Sequence, residues 1–473
     1  MNRRIFLGAM LSAGVVALRT KAAEAKPPNV VLMMADDLGW ADTTPYGADL
    51  HETPHIEKLA AQGVRFHRAY AAAPVCSPTR ASILTGKTPA RLKLTIWRES
   101  AQKTVVNQPM IPPLVEENLP HAEYTLAEAL HDAGYFTAHI GKWHLGDPSH
   151  YPLSQGFDAD VGGSLWGAPE TYFYPFSGRK RFPEFRFVPG LNYSKPGEYL
   201  TDRLTTEALT AIDQAGDRPF FLNLWFHTPH TPIEGKPELV ERYKAKLKPG
   251  LNHTNPGFAA MVHSLDENVG RVLDHLEKKG LTENTIVLFL SDNGGFIRDN
   301  ITNNAPLRSG KGSLYEGGIR VPLIVKYPGK IAMGQVCDEP VSTIDLYPTL
   351  MELTGNTARL EKQGSIDGLS FAKLLKNPKQ GLSRNELYFH YPHYYITTSP
   401  VSAVMTREWK LLEYFEDGRL ELYRLSEDLG EAKDLASAEP DLVRTLHQKL
   451  QAWRKEVGAP MPVKNPNYSV KAK

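Results

Sequence analysis

The sequence predicts an α/β protein in which a large, mostly parallel β-sheet is sandwiched by helices and followed by a small C-terminal α+β domain. Continuous apolar runs, such as residues 29–34 and 285–290, have the length and composition of strands buried on both faces. These runs alternate with amphipathic segments, which is the pattern of a parallel sheet covered by helices. After about residue 369, short strands follow one another and one helix closes the chain.

Each element is expected from its own pattern, in chain order. In the first part, strands are predicted at 27–34, 64–71, 135–140, 219–225 and 285–290, and helices at 54–63, 125–133, 198–214 and 261–279. In the last part, strands are predicted at 386–390, 401–405, 410–414 and 420–423, with a helix at 442–457. We therefore divide the chain into an export signal (1–25), a main domain (26–375) and a C-terminal α+β domain (376–473).

The overall charge gives no sign of a protein that binds nucleic acid or a membrane surface. The chain has 473 residues, with 54 Lys and Arg residues against 53 Asp and Glu residues. Such binders usually carry a clear excess of basic residues. We therefore expect no nucleic-acid partner.

The N-terminus has the features of an export signal. Arg3 and Arg4 precede an apolar stretch, residues 5–18, and Ala23-Glu24-Ala25 offers a cleavage site between small residues. The beginning resembles a twin-arginine signal, and a general secretory signal is the alternative. The apolar stretch is too short to span a bilayer comfortably, so we expect no stable membrane insertion. The mature protein is predicted to be periplasmic or extracellular.

Cys76 and Cys337 are the two cysteines of the chain. Two cysteines do not make a disulfide scaffold, although in an exported protein they could pair with each other. The residues around Cys76 fit a reactive site better, and Cys337 is expected to be a buried thiol without a role in the chemistry.

Two predicted strands end in pairs of oxygen-bearing side chains. Asp36 and Asp37 follow the first strand, and Asp292 and Asn293 follow the strand at 285–290. Ligands of open α/β sheets bind at the carboxyl ends of the strands, so these four side chains should meet at one edge. Carboxylate and amide oxygens without sulfur or imidazole are typical of a hard cation, which predicts Ca²⁺, with Mg²⁺ as the alternative.

The stretch from Cys76 to Lys87 reads CSPTRASILTGK and predicts a short buried helix that begins at the cysteine. Pro78 is tolerated in a first helical turn, and no helix-breaking residue follows until Gly86. Backbone N–H groups at such a terminus favour an anion. Arg80 lies one turn further along the same face.

Further polar segments follow other predicted strands. Lys142 and His144 come directly after the strand at 135–140, and His227 and His230 after the strand at 219–225. Lys311 lies among glycines soon after Asp292, where it could approach an anion closely. For His227 a core or surface role is an equal alternative, and for Lys311 a flexible surface loop is the alternative.

Taken together, these segments resemble type I sulfatases. The resemblance rests on Cys-x-Pro-x-Arg and the following Leu-Thr-Gly, with Asp36-Asp37, residues 141–146, the His-Thr-Pro at His230, Asp292-Asn293-Gly294, and Lys311 with residues 315–318. They occur in the family's order and cover nearly the whole mature chain, most like the arylsulfatase A and N-acetylgalactosamine-6-sulfatase branch. One departure is Lys87, where the family often has arginine.

The resemblance implies an alkaline-phosphatase-like fold and a catalytic role for the main domain. It further implies that a formylglycine-generating enzyme converts Cys76 to formylglycine, whose hydrate attacks the sulfur of a sulfate ester. The implied metal ligands are Asp36, Asp37, Cys76, Asp292 and Asn293. The implied catalytic residues are Cys76, Arg80, Lys142, His144, His230 and Lys311. In this scheme Arg80 holds the hydrate or the carboxylates, and the two lysines bind sulfuryl oxygens. His230 protonates the leaving group, and His144 accepts a proton.

The substrate is the least defined part of the prediction. The resemblance favours a sulfated sugar of galacto configuration, cleaved at a chain end, or an aryl sulfate. A segment rich in aromatic residues and proline, 166–197, is expected to be an ordered active-site insertion. Residues 166–175 within it could wall a sugar pocket, and packing onto the main domain is an equal alternative. The candidate substrate contacts are Trp166, Tyr172, Arg179, His227 and His253.

Two other functions remain open at this point. One is a formylglycine-dependent hydrolase of phosphate esters or phosphonates on a related fold. The other is a non-catalytic relative that binds sulfated glycans and keeps Cys76 unmodified.

Overall fold

The structure is a computed structural model that describes residues 26–103, 107–191 and 193–469. The predicted export signal, residues 1–25, lies outside the described residues. Within those ranges no helix is both long and apolar enough to cross a membrane.

A nine-stranded mixed sheet forms the centre of the molecule. Its strands are β1 (Asn29–Ala35), β2 (Val64–Tyr70), β3 (Phe136–Gly141), β4 (Ala159–Val161), β5 (Phe220–Trp225), β6 (Thr285–Ser291), β7 (Arg320–Lys326), β8 (Gln335–Cys337) and β9 (Val341–Ser342). The order across the sheet is β8-β2-β7-β6-β1-β5-β3-β4, with β9 also paired to β2. The five strands predicted for this part are all present, and β4, β7, β8 and β9 are additional to the prediction.

Strand β7 runs antiparallel to both of its neighbours, whereas the other pairings within this sheet are parallel. Pro322 lies within β7 at a register shift between Val321 and Leu323. Proline cannot donate to a ladder and is confined to edges and bulges, so this run did not indicate a central strand. The predicted mostly parallel sheet is therefore confirmed, with one reversed strand.

Helices cover both faces of this sheet. The longer helices are α1 (Pro54–Ala61), α2 (Cys76–Thr85), α3 (Leu126–His131), α4 (Leu200–Ala215), α5 (Pro237–Lys244), α6 (Pro256–Lys278), α7 (Leu346–Leu353) and α8 (Pro440–Val457). Shorter helical segments are Pro89–Leu92, Arg98–Ala101, Glu316–Ile319, Leu360–Gln363 and Ala372–Lys376. All predicted helices are present, and α6 begins earlier than the prediction because Asn255 caps it, accepting from the Phe258 amide at 3.1 Å.

The alternating side chains of β1 show how the layers are arranged. One set packs in a cluster with α2, α3 and α7, and these residues are Val30, Leu32 and Met34. The other set packs in a cluster with α1, α4 and α6, and these residues are Val31, Met33 and Ala35. Because successive strand residues point to opposite faces, this pattern buries β1 on both sides.

The last part of the chain forms a second sheet. Its consecutive antiparallel strands are β10 (Leu387–Tyr391), β11 (Val401–Met405), β12 (Trp409–Tyr414) and β13 (Leu420–Arg424). Helix α8 packs on one face, and the other face shares an apolar cluster with main-domain residues such as Val75 and Ile319. The four predicted strands and the closing helix are confirmed. The boundary near residue 375 stays a prediction.

Two short ribbons complete the described strands. Val463–Lys464 pairs with Met110–Ile111, and Ser177–Gly178 pairs with Arg186–Phe187. The second ribbon lies in the predicted aromatic insertion, which is therefore partly ordered by its own backbone pairing.

Candidate active site

Cys76 is the first residue of α2, as predicted, and Val75 before it is extended. The helix is buried along its whole length and ends at Gly86, whose φ of 68° is the left-handed conformation that glycine adopts easily. Burial raises the pKa of the Cys76 thiol to about 12 despite the nearby lysines. The unmodified thiol is therefore protonated at neutral pH and a poor nucleophile.

The predicted carboxylate cluster is assembled by the pairing of β1 with β6. Ala35 pairs with Ser291, so the residues that follow each strand lie side by side. The Asp37 amide donates to Asp292 Oδ1 at 3.2 Å, and Asn293 Nδ2 donates to Asp37 Oδ1 at 2.8 Å. All four predicted side chains are buried.

The side chains of this cluster could hold a metal ion. Asn293 Oδ1 is buried and has no hydrogen-bond partner in the described part of the chain, which leaves it free to coordinate. Ligand atoms of Asp36, Asp37, Cys76 and His230 lie within 4.8 Å of one another. Burial and the neighbouring Asp292 raise the pKa of Asp36 to about 8, and a bound cation would favour its ionised form.

Three buried cationic side chains face the carboxylates. Arg80 donates to Asp292 Oδ2 from Nε at 3.0 Å and from Nη2 at 2.8 Å, so it holds a carboxylate of the cluster. Lys142 Nζ lies 2.6 Å from Asp36 Oδ2, and Lys311 Nζ lies 2.7 Å from Asp37 Oδ1. Each carboxyl group of the cluster thus has one cationic side chain beside it.

Lys311 reaches the site because β7 is reversed. The residues before β7, which we call the lysine loop (309–318), lie at the edge where β1, β3, β5 and β6 end. Lys311 Nζ is 3.6 Å from Cys76 Sγ. At Gly312, with a φ of 90°, a Cβ atom would lie 2.0 Å from the Tyr395 ring, so only glycine fits this close approach.

His144 is fixed in a strained position after β3. Its φ is 59°, its Nε2 lies 3.2 Å from Glu99 Oε2, and its Nδ1 is buried without a partner in the described residues. A Cβ on Gly167 would lie 2.3 Å from the imidazole, so this glycine packs directly on the ring. Burial lowers the pKa of His144 to about 4, and Glu99 only partly opposes this, so the ring is neutral at neutral pH.

The two histidines after β5 are placed differently. His230 lines the cavity described below, and its Nε2 lies 3.4 Å from Asp37 Oδ2. Burial lowers its pKa to about 3. His227 is buried and is not part of the lining of that cavity, and its Nδ1 has no hydrogen-bond partner in the described chain.

Cys76 opens into a cavity of about 640 Å³, which we call the first cavity. Besides Cys76, its lining includes the reactive side chains His144, His230 and Lys311. Of the candidate substrate contacts, Trp166 is part of the lining. This volume is in the range of small-molecule sites.

The other candidate contacts lie away from this lining, each for a visible reason. The Tyr172 hydroxyl lies 2.6 Å from the carbonyl oxygen of His227 and 2.8 Å from that of His230, so it can donate to either and supports residues 227–230. His253 is buried, with Nδ1 2.8 Å from Asp49 and Nε2 3.2 Å from Asp42. Arg179 bonds the carbonyl oxygen of Pro183. None of Tyr172, His227, His253 and Arg179 lines the first cavity, and their role as substrate contacts stays a prediction.

Comparison with known proteins places this arrangement in a family. The family model described as Sulfatase matches residues 28–356, and a second, described as N-sulphoglucosamine sulphohydrolase, C-terminal, matches residues 310–456. The chain belongs to the type I sulfatase family. Members of this family are sulfuric ester hydrolases that use a metal ion, and the sulfatase described here accordingly hydrolyses sulfate esters.

Named relatives cover most of this sulfatase. A sulfatase of Formosa agariphila is 34% identical, covering 97% of this chain and 94% of its own. The human N-acetylgalactosamine-6-sulfatase is 33% identical, covering 77% and 68%. The crystal structure of Ps i-CgsB in complex with k-i-k-neocarrahexaose is 28% identical, with a TM-score of 0.76, covering 93% and 96%.

Four residues of the first cavity of the sulfatase lie outside every segment that the sequence analysis assigned to the site, and these are Trp97, Glu99, Lys103 and Tyr395. Phe182, Glu184 and Arg186 lie in the predicted insertion 166–197, although they were not singled out. The four missed residues come from two separate segments, neither of which directly follows a strand of the central sheet. The rule that ligands bind at the carboxyl ends of strands therefore could not find them. Trp97 and Glu99 follow the signature helix α2 closely, which is the one sequence signal that could have drawn attention to them.

Proposed function

We propose that this sulfatase removes sulfate from the end of a sulfated carbohydrate of galacto type, using formylglycine made from Cys76 and a bound Ca²⁺ or Mg²⁺ ion. The observation that carries the proposal is the position of Cys76. Its sulfur lies 3.6 Å from Asp36 Oδ1 and 3.6 Å from Lys311 Nζ, at the wall of the first cavity. A sulfate ester bound there would meet anion-binding lysines and the cation site together.

The substrate class is supported by the names of the relatives. The N-acetylgalactosamine-6-sulfatases of several mammals are 32–34% identical over most of this chain, and the Ps i-CgsB structure holds a neocarrahexaose. The first cavity has the size of a site for one small molecule, which favours action on a terminal sugar. The N-terminal signal supports export to the periplasm or beyond, where the substrate would be met.

The modified residue would supply a geminal diol as nucleophile, and the cation would lower the pKa of its hydroxyl. The protein has two positive charges for the sulfuryl oxygens, Lys142 and Lys311, both buried beside Cys76. Asp292 and Asn293 would hold the cation with Asp36 and Asp37. A formylglycine-generating enzyme is the partner that this chemistry requires.

Proton transfer falls to three side chains. His144 is neutral, and its Nε2 faces Glu99, so Nδ1 is the nitrogen free to accept a proton. His230 and Lys311 are the two candidate proton donors for the leaving group, and their pKa values favour Lys311. Burial lowers the pKa of Lys311, but the attraction of the Asp37 carboxylate, together with its neighbours, has the larger effect and raises that pKa well above its usual value. Lys311 is therefore protonated and charged at neutral pH, whereas the imidazole of His230 is neutral.

The experiment that tests the proposal is mass spectrometry of the tryptic peptide 69–80 from protein made in its native host. The proposal expects the mass of an aldehyde in place of the thiol, and one equivalent of Ca²⁺ or Mg²⁺ in the same sample. A set of sulfated galactose and N-acetylgalactosamine sugars, with the matching phosphate esters as controls, then defines the substrate. A fully unmodified Cys76 in active protein would contradict the proposed nucleophile.

A further inference from the structure

A second cavity of about 520 Å³ adjoins the first cavity. Trp97, Lys103 and Tyr395 line both cavities, so the two spaces are separated by shared side chains. Each cavity lies within the usual size range of small-molecule sites. The shared wall places the second cavity directly beside the substrate site.

Side chains of the shared wall are held against the lysine loop. Trp97 and Tyr395 meet edge to face, with ring centroids 5.9 Å apart. Tyr395 packs on Gly312, and Thr397 Oγ1 donates to the carbonyl oxygen of Lys311 at 2.7 Å. A group that binds the far side of this wall is therefore at a fixed distance from the lysine beside Cys76.

The rest of the second cavity combines apolar and polar groups. Leu114 and Ile396 line it and are exposed by 98% and 57%, so both present apolar surface to solvent at this cavity. Ser100 and Gln108 supply polar groups on the same surface. Aromatic and aliphatic surface beside hydrogen-bonding groups suits a sugar ring, which has apolar faces and polar edges. Lys103, between the two cavities, adds a positive charge suited to a sulfated chain.

We propose that the second cavity binds the sugar residue next to the sulfated one, so that the preferred substrate is a sulfated oligosaccharide. The sulfated terminal sugar would occupy the first cavity, and its neighbour would contact the far side of the Trp97 and Tyr395 wall. This inference rests on the proposed function and adds the length of the substrate to it.

The test compares three compounds by kcat/KM: a sulfated N-acetylgalactosamine, the disaccharide with that residue at its non-reducing end, and 4-nitrophenyl sulfate. We expect the disaccharide to exceed the monosaccharide about tenfold, since the second cavity adds contacts for it alone. Ile396→Asp should lower the value for the disaccharide about tenfold and leave the other two within twofold. Leu114→Asp should act in the same direction, and both sites are exposed, so folding is preserved.

The control variant is Met333→Asp, because Met333 is 63% exposed and lies after β7 at the opposite edge of the sheet. It should leave all three values unchanged. Equal rates for monosaccharide and disaccharide in the wild type, or equal losses on all three compounds in Ile396→Asp, would overturn the second binding site while leaving the proposed function intact. Absence of activity on every sulfated compound would overturn both.

Discussion

His144 is oriented before any substrate arrives, and this sets which of its nitrogens can work. Its backbone is in the left-handed region, Gly167 packs on its ring, and Glu99 faces Nε2. A carboxylate at Nε2 keeps the proton on that nitrogen and leaves Nδ1 as the acceptor. Since Nδ1 has no partner among the described residues, the geometry resembles the orientation of a catalytic base by a third group.

Replacing Glu99 with Gln should weaken this orientation without changing the shape of the first cavity. A glutamine amide can also donate to Nε2, which allows the tautomer of His144 with its proton on Nδ1, and in that tautomer Nδ1 cannot act as the base. We therefore expect kcat to fall about tenfold, with little change in KM. Glu99 raises the His144 pKa against the larger effect of burial, so its loss lowers that pKa further. The base must be neutral, and the acid limb of the kcat profile should therefore move to lower pH.

The measurement is a pH profile of kcat with 4-nitrophenyl sulfate. Glu117→Gln is the matched control, because Glu117 lies in the same region and pairs with Arg98 away from His144. A profile for Glu99→Gln that matches the wild type would show that Glu99 does not orient His144, and a change confined to KM would assign Glu99 to substrate binding.

At the scale of elements, the lysine loop is held from both sides. On one side it precedes β7, and on the other the second sheet supports it through Lys410 of β12, which is fully buried. Lys410 Nζ lies 2.7 Å from Glu316 Oε1 and 2.8 Å from Glu431 Oε1, and it donates to the carbonyl oxygen of Leu314 at 3.1 Å. This network ties β12 to the loop that carries Lys311.

Removing the Lys410 charge should loosen the lysine loop. Lys410→Met would leave two buried carboxylates facing each other, and breaking a buried pair in this way costs about 3–5 kcal/mol. We expect urea unfolding to show a loss of this order, together with reduced kcat. Addition of Glu431→Gln should recover part of the stability, because Glu431 loses its cationic partner in Lys410→Met, whereas Glu316 keeps Arg320 at 3.2 Å.

Arg424→Met is the control for this change. Arg424 pairs with Glu427 on the surface, and exposed pairs contribute about 0–1 kcal/mol. If Lys410→Met unfolds at the same urea concentration as Arg424→Met, the buried network does not hold the loop.

For the whole molecule, the sequence was informative where one rule applied to many residues. The carboxyl ends of parallel strands lie at one edge of a sheet. Residues that follow four apolar runs could therefore be predicted to lie together, and these are Asp36, Lys142, His230 and Asp292. The sequence did not predict β7, because a proline such as Pro322 is not expected within a central strand. It also could not place residues whose neighbours come from distant segments.

Tyr395 shows that last difficulty most clearly. It belongs to the predicted C-terminal domain, yet its ring packs on Gly312 and lines the first cavity beside Cys76. No periodicity relates residues so far apart in the chain, and a division near residue 375 hides the contact. Similarly, His253 follows no strand of the central sheet, so the strand-end rule says nothing about its position. Its burial between Asp42 and Asp49 gives it a structural partner on each side.

The shared cluster between the two sheets predicts that the main domain does not fold well alone. Main-domain residues that pack against the second sheet are Tyr70, Val75, Leu314 and Ile319. Exposing each costs roughly 1.5–3 kcal/mol, and four such losses approach the roughly 5–15 kcal/mol of a typical protein. A chain that ends after Lys376 should therefore give little soluble protein and no activity on 4-nitrophenyl sulfate.

The matched control ends after Asn465 and keeps both sheets and α8. We expect it to be soluble and active, since it loses only the last residues of the chain. Soluble yield, circular dichroism and turnover separate the two chains. A soluble and active product ending at Lys376 would show that the second sheet is dispensable, and that the contacts of Tyr395, Thr397 and Lys410 with the lysine loop do not position Lys311.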